Sequence, residues 1–70
     1  MDVSQLRNRI KEVRLRRDMT QAELAAEVGV SRKTIVTVEN RIFIPSTLLA
    51  LRIARVLKTS VDHLFYLDED

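Results

Sequence analysis

The sequence predicts an all-α fold, a compact bundle of five helices in one domain spanning residues 1–70. Gly and Pro occur once each, aromatics number three, and Ala, Leu, Arg and Glu abound, a composition that leans helical. Apolar residues recur at helical spacing along most of the chain. Serine or threonine stands where most of these stretches begin, as capping residues do.

The first helix is expected from about Ser4 to Arg17, with Leu6, Ile10 and Val13 on one face and arginines on most of the other. It ends at "RDMT", where Asp18 tolerates a turn conformation. The second opens at "TQAE". Thr20 can accept a bond from a first-turn amide while Glu23 reaches back, a capping box worth about 1 kcal/mol. Leu24, Ala25 and Val28 form its inner face. Ser31 caps a third helix running to about Asn40, with Ile35 and Val38 inward. "RIFIPS" reads as a loop, since Pro45 disfavours helix in the residue before it. The fourth helix, about Ser46 to Lys58, is apolar nearly all round and belongs at the centre of the core. Ser60 caps a short fifth helix, "VDHLFYL", in which Phe65 is expected to be buried and His63 exposed.

Size and composition also exclude. A chain this short buries only about 60% of the surface its unfolded form exposes, so stability rests on tight helix packing or self-association. There is no cysteine, hence no disulfide or Cys-based metal site, and one histidine builds no zinc site alone. No cofactor is expected. With no cysteine, one histidine, no phosphate-binding glycine loop and no paired acids in a pocket, an enzyme is not expected either. No apolar run is long enough to span a membrane. The net charge is +2, but residues 1–41 hold nine cations against six acids and residues 42–70 three against four. A basic front and an acidic end suit a nucleic-acid binder whose far side must stay off the phosphates. Ordinary solvated helix faces would give the same count.

The single glycine, Gly29, sits in "AAEVGVSRKTIV" between the second and third helices. Only about three residues join them, so the chain must reverse sharply through a residue with positive φ. Glycine takes that conformation freely, whereas an ordinary L-residue loses about 1–2 kcal/mol. Ala25, four residues earlier, is small enough for two helices to cross closely. Together these features describe a helix-turn-helix over about residues 20–40. "TQAELAAEVGVSRKTIVTVEN" then resembles the helix-turn-helix of the Cro/lambda-repressor-like (Xre-type) family of bacterial and phage regulators. "PSTLLALRIARVLKTSVDHLF" is similar to that family's fourth and fifth helices.

The resemblance implies a lambda-repressor-like DNA-binding domain whose third helix reads the major groove. Base contact then falls on Arg32, Lys33 and Thr37. Arginine can bond guanine O6 and N7 together, and a threonine methyl suits a thymine methyl. Phosphate contact falls on Thr20, Gln21, Asn40 and Arg41; Ser31, at the groove's edge, can cap its helix or contact DNA. Arg14 and Glu39 match a structural ion pair between the first and third helices. Arg41, Lys58 and Asp18 stand where the family commonly has glycine, which predicts strain at Arg41 and Lys58 if their φ is positive.

The apolar loop at 42–45 and the tail at 64–70 are candidate dimer contacts, because Ile42, Ile44, Tyr66 and Leu67 are hard to bury in so small a domain. The expected function is a homodimeric, sequence-specific repressor of transcription, cytoplasmic or nucleoid-bound, in a bacterium, archaeon or phage. Double-stranded DNA is its partner and no small-molecule effector is evident. The alternatives are the antitoxin of a toxin–antitoxin pair, which also holds a partner protein, and a pure protein-interaction domain on the same fold.

Overall fold

A computed structural model describes residues 5–68. In chain order these form β1 (Leu6–Asn8), α1 (Ile10–Arg16), α2 (Gln21–Val28), α3 (Arg32–Glu39), α4 (Thr47–Val56), α5 (Val61–Leu64) and β2 (Phe65–Leu67). Five helices are present, as expected, but the fold is not all-α. β1 and β2 pair antiparallel, with Leu6 opposite Leu67, Arg7 opposite Tyr66 and Asn8 opposite Phe65.

The sheet corrects two expectations. The first helix begins at Ile10, and Leu6 lies on a strand; the proposed start at Ser4 falls outside the described residues. Asn8 explains the late start. Its Oδ1 accepts from the Ile10 amide at 3.2 Å, a local bond that competes with a helical turn. Its Nδ2 donates to the Val38 carbonyl at 3.0 Å, tying this end of the chain to α3. The fifth helix stops at Leu64, because "FYL" is rich in strand-favouring side chains and finds β1 to pair with. The clasp is reinforced outside the ladder. Arg9 donates from its amide to the Leu64 carbonyl and from its guanidinium to the His63 carbonyl, both at 2.8 Å. The same guanidinium stacks 4.1 Å from the centre of the Tyr66 ring. Phe65 is half-buried against the core.

Seven side chains are wholly enclosed: Ile10, Leu24, Ile35, Val38, Ile53, Leu57 and Leu64. Each contributes about 1.5–3 kcal/mol by leaving water. α4 inserts Ala50, Ile53 and Ala54 into this core. It is not buried all round, however: Leu48 and Leu51 remain 59% and 54% exposed. Too few elements surround it to cover both sides of a helix.

The first four helices end alike. Asp18, Gly29, Arg41 and Lys58 have φ of 55, 90, 63 and 55°. The amide after each returns to the carbonyl five residues back: Met19 to Arg14, Val30 to Ala25, Ile42 to Thr37, Thr59 to Ala54. That is the Schellman closure, which satisfies carbonyls a helix end would otherwise orphan. The positive φ for which strain is expected is therefore present at Arg41 and Lys58, and Asp18, which tolerates it, shares it. Met19 and Val30 pack on the core after their turns, as the motif favours; Ile42 is 76% exposed.

Candidate nucleic-acid interface

The pivot between α2 and α3 is built locally. Thr20 Oγ1 accepts from the Glu23 amide at 3.0 Å, and Glu23 Oε1 accepts from the Thr20 amide at 2.8 Å, completing the capping box. Bonding to the Thr20 backbone amide, then to its hydroxyl, holds the Glu23 carboxyl below the ordinary glutamate range. α2 closes on Gly29. A Cβ there would meet nothing within 4 Å, so glycine is needed for its backbone angle and not for space. Ser31 then caps α3, its Oγ accepting from the Thr34 amide at 3.2 Å.

α3 presents Arg32 and Lys33 in its first turn, both exposed. Cations there oppose the helix dipole, so they add nothing to the stability of α3. Thr37 is half-buried, and its hydroxyl donates within α3 toward the Lys33 and Thr34 carbonyls, each at 3.0 Å. To a ligand it offers a methyl group and oxygen lone pairs, but no donor.

Two open grooves flank this helix. One, of about 470 Å³, is lined by Thr20, Gln21 and Arg32 together with Arg14, Asp18 and Met19 among others. The other, of about 320 Å³, is lined by Ser31, Lys33, Thr34, Thr37, Ile42 and Phe43. Six of the eight residues anticipated from sequence therefore line one or the other of these grooves, three in each. Asn40 and Arg41 are exposed at the far end of α3 and line neither groove.

Beneath the surface lies a polar chain. The Arg14 and Glu39 side chains are 7% and 4% exposed and pair at 2.8 Å, the ion pair anticipated from sequence. Arg14 Nη1 also donates to the Met19 carbonyl at 2.8 Å, so this cation pins α1 to the approach to α2 as well as to α3. Gln21 Nε2 donates to Glu39 Oε1 at 3.2 Å, and Gln21 Oε1 accepts from Arg32 at 3.4 Å. The link through Gln21 was not anticipated. No spacing rule joins residues 18 apart on different helices.

The apolar loop divides. Ile42 belongs to the groove beside α3, whereas Ile44 and Pro45 line a small cavity with Leu6 and Phe65. Leu6, Pro45 and Phe65 also line a groove of about 230 Å³ with Ala50, Leu51 and Val61. An apolar surface thus runs from Ile44 to Leu51, with Ile44 and Leu51 themselves 47% and 54% exposed. Among the described residues no cluster of His, Cys, Asp or Glu could hold a metal, and no helix is long and apolar enough to cross a membrane.

A fold of this order with this pivot defines a helix-turn-helix protein. The helix-turn-helix family matches over residues 10–64, and the chain belongs to it, in its Cro/Xre-like branch. A protein of Archaeoglobus fulgidus, named an uncharacterised HTH-type transcriptional regulator, is 48% identical over 65 residues, spanning 93% of this chain and 92% of its own. YgzD of Bacillus subtilis, named in the same terms, is 35% identical over 65 residues, 93% of this chain and 98% of its own. A crystal structure of a candidate DNA-binding protein from Bacteroides fragilis superposes with a TM-score of 0.79 at 28% identity, covering 87% of this chain and 98% of that one.

Proposed function

We propose that this protein is a sequence-specific regulator of transcription that binds double-stranded DNA through α3. The observation carrying this reading is the exposed pair Arg32 and Lys33, each lining one of the two grooves beside a helix that gains nothing from either charge. Arg32, Lys33 and Thr37 contact base edges. Thr20, Gln21, Ser31, Asn40 and Arg41 contact phosphates, the first two at the positive end of α2. The regulators of Archaeoglobus and Bacillus, alike over nearly their whole lengths, support this role.

The active species is a homodimer, formed through the apolar surface from Ile44 to Leu51. It sets two reader helices about 34–36 Å apart on successive major grooves of a near-palindromic operator. Bound over a promoter, it blocks polymerase and represses. Such a protein works in the cytoplasm. The antitoxin reading keeps one support: the same apolar surface would hold a partner protein equally well.

Selecting bound sequences from random DNA tests the proposal. Palindromic sites with half-sites one helical turn apart are the expected product. Wild-type protein that enriches no sequence, and whose affinity does not fall with salt, refutes it.

A further inference from the structure

We propose that Glu39 is a positioning residue for base recognition, acting through Gln21 to aim the Arg32 guanidinium. This rests on the reading of α3 as the DNA reader and adds a second role for Gln21 beside phosphate contact.

The argument is one of polarity. An amide side chain has two nearly identical ends, and nothing in its shape fixes which faces a neighbour. A carboxylate accepts hydrogen bonds and donates none. Glu39 is enclosed, and its Oε2 takes the Arg14 Nε hydrogen at 2.8 Å. Its Oε1 faces both Arg14 Nη2 at 3.3 Å and Gln21 Nε2 at 3.2 Å. The amide nitrogen of Gln21 must therefore point inward, and its carbonyl oxygen outward. That oxygen accepts from Arg32 Nη2 at 3.4 Å. Donors and acceptors alternate along the chain, from guanidinium to carboxylate to amide to guanidinium. A reversed amide would set its NH2 group against the Arg32 cation and release it.

Arginine is a flexible side chain, and ordering it on binding opposes affinity. A guanidinium already tethered on one edge arrives with less freedom to lose, and keeps its other edge for the two acceptors of a guanine. The inner end of the tether, the Gln21–Glu39 bond, is partly buried, while its outer end on Arg32 faces solvent.

The test compares base preference, measured by selection from random DNA and by binding to single-base variants of the selected site. Four proteins are compared: wild type, Arg32→Ala, Gln21→Leu and Glu39→Gln. Gln21→Leu leaves the Arg14–Glu39 pair intact, so it reports on aim even if Glu39→Gln unfolds. Both variants are expected to lose roughly tenfold discrimination at the one base position that Arg32→Ala flattens. The salt dependence should keep its wild-type slope, because no cation is removed. Adding Arg32→Ala to Gln21→Leu should flatten that position little further.

Gln21→Leu that weakens all sequences by one factor, with discrimination intact, overturns the proposal and leaves Gln21 a phosphate contact. A folded Glu39→Gln that keeps full discrimination overturns the role of Glu39. Arg32→Ala that weakens every sequence equally removes the base contact itself, a failure of the underlying reading and separable from the other two.

Discussion

Arg14→Ala strands a carboxylate. The Glu39 side chain is 4% exposed and draws two of its three hydrogen bonds from Arg14; after the substitution only Gln21 remains to it. The Met19 carbonyl loses its Arg14 donor as well. Removing one partner of a buried pair costs about 3–5 kcal/mol, since the remaining charge stays desolvated. Domains of this size carry total stabilities near the low end of about 5–15 kcal/mol, so the loss is most of what exists. In a domain of 60–100 residues each kcal/mol moves Tm by about 4–8 °C, which predicts a fall of about 12–40 °C. Thermal and urea unfolding followed by circular dichroism, at several protein concentrations to separate dimer effects, measures it. The double change Arg14→Met with Glu39→Leu should restore wild-type stability or exceed it by about 1–4 kcal/mol, because both desolvation costs vanish together. A single variant losing under about 1 kcal/mol would behave like an exposed pair and refute the reasoning.

Three further expectations concern the turns and the cap. Gly29→Ala should lower stability by about 1 kcal/mol through its positive φ alone, since its Cβ meets nothing; urea unfolding of unchanged slope checks this. Lys58→Gly should raise Tm by a few degrees, because about 1–2 kcal/mol of left-handed strain outweighs the added freedom of the unfolded chain. Glu23 has a folded-state pKa below its unfolded one, so its contribution is present above the ordinary glutamate range. It is lost as pH falls through that range toward the lowered value. Melting profiles from neutral pH to pH 3 should therefore fall more steeply for wild type than for Glu23→Gln.

Most of what neighbours in sequence set was readable beforehand. The capping box at Thr20, the caps at Ser31 and Ser60, the positive φ at Gly29 and the inward faces of α2 and α3 all depend on residues within one or two turns. The Arg14–Glu39 pair was reached only through resemblance, being 25 residues apart. What stayed hidden depends on contacts across the chain. Leu6 fits a helical face by its spacing with Ile10 and Val13, and nothing local reveals that Leu67 lies opposite it. "FYL" could continue a helix until β1 offers a ladder. One signal was overlooked: Asn8, poorly suited to a helix interior, stands just where α1 fails to begin earlier. The cap and first turn of α3 were legible by position, because helix starts are, whereas the amide that bridges Glu39 to Arg32 was not.

The pairing of residues 6–8 with residues 65–67 has a consequence for how the chain is made. A ribosome extends a protein at about 5–20 residues per second, so the first strand emerges several seconds before its partner exists. Until then its amides bond to water, while the contacts among α1 through α4 can already form. The helical body should thus be formed first and the clasp close over it last. Deuterium uptake in the finished protein should be fastest at the same amides, those of Leu6 to Asn8 and Phe65 to Leu67, the last seam to be sewn and the first to open.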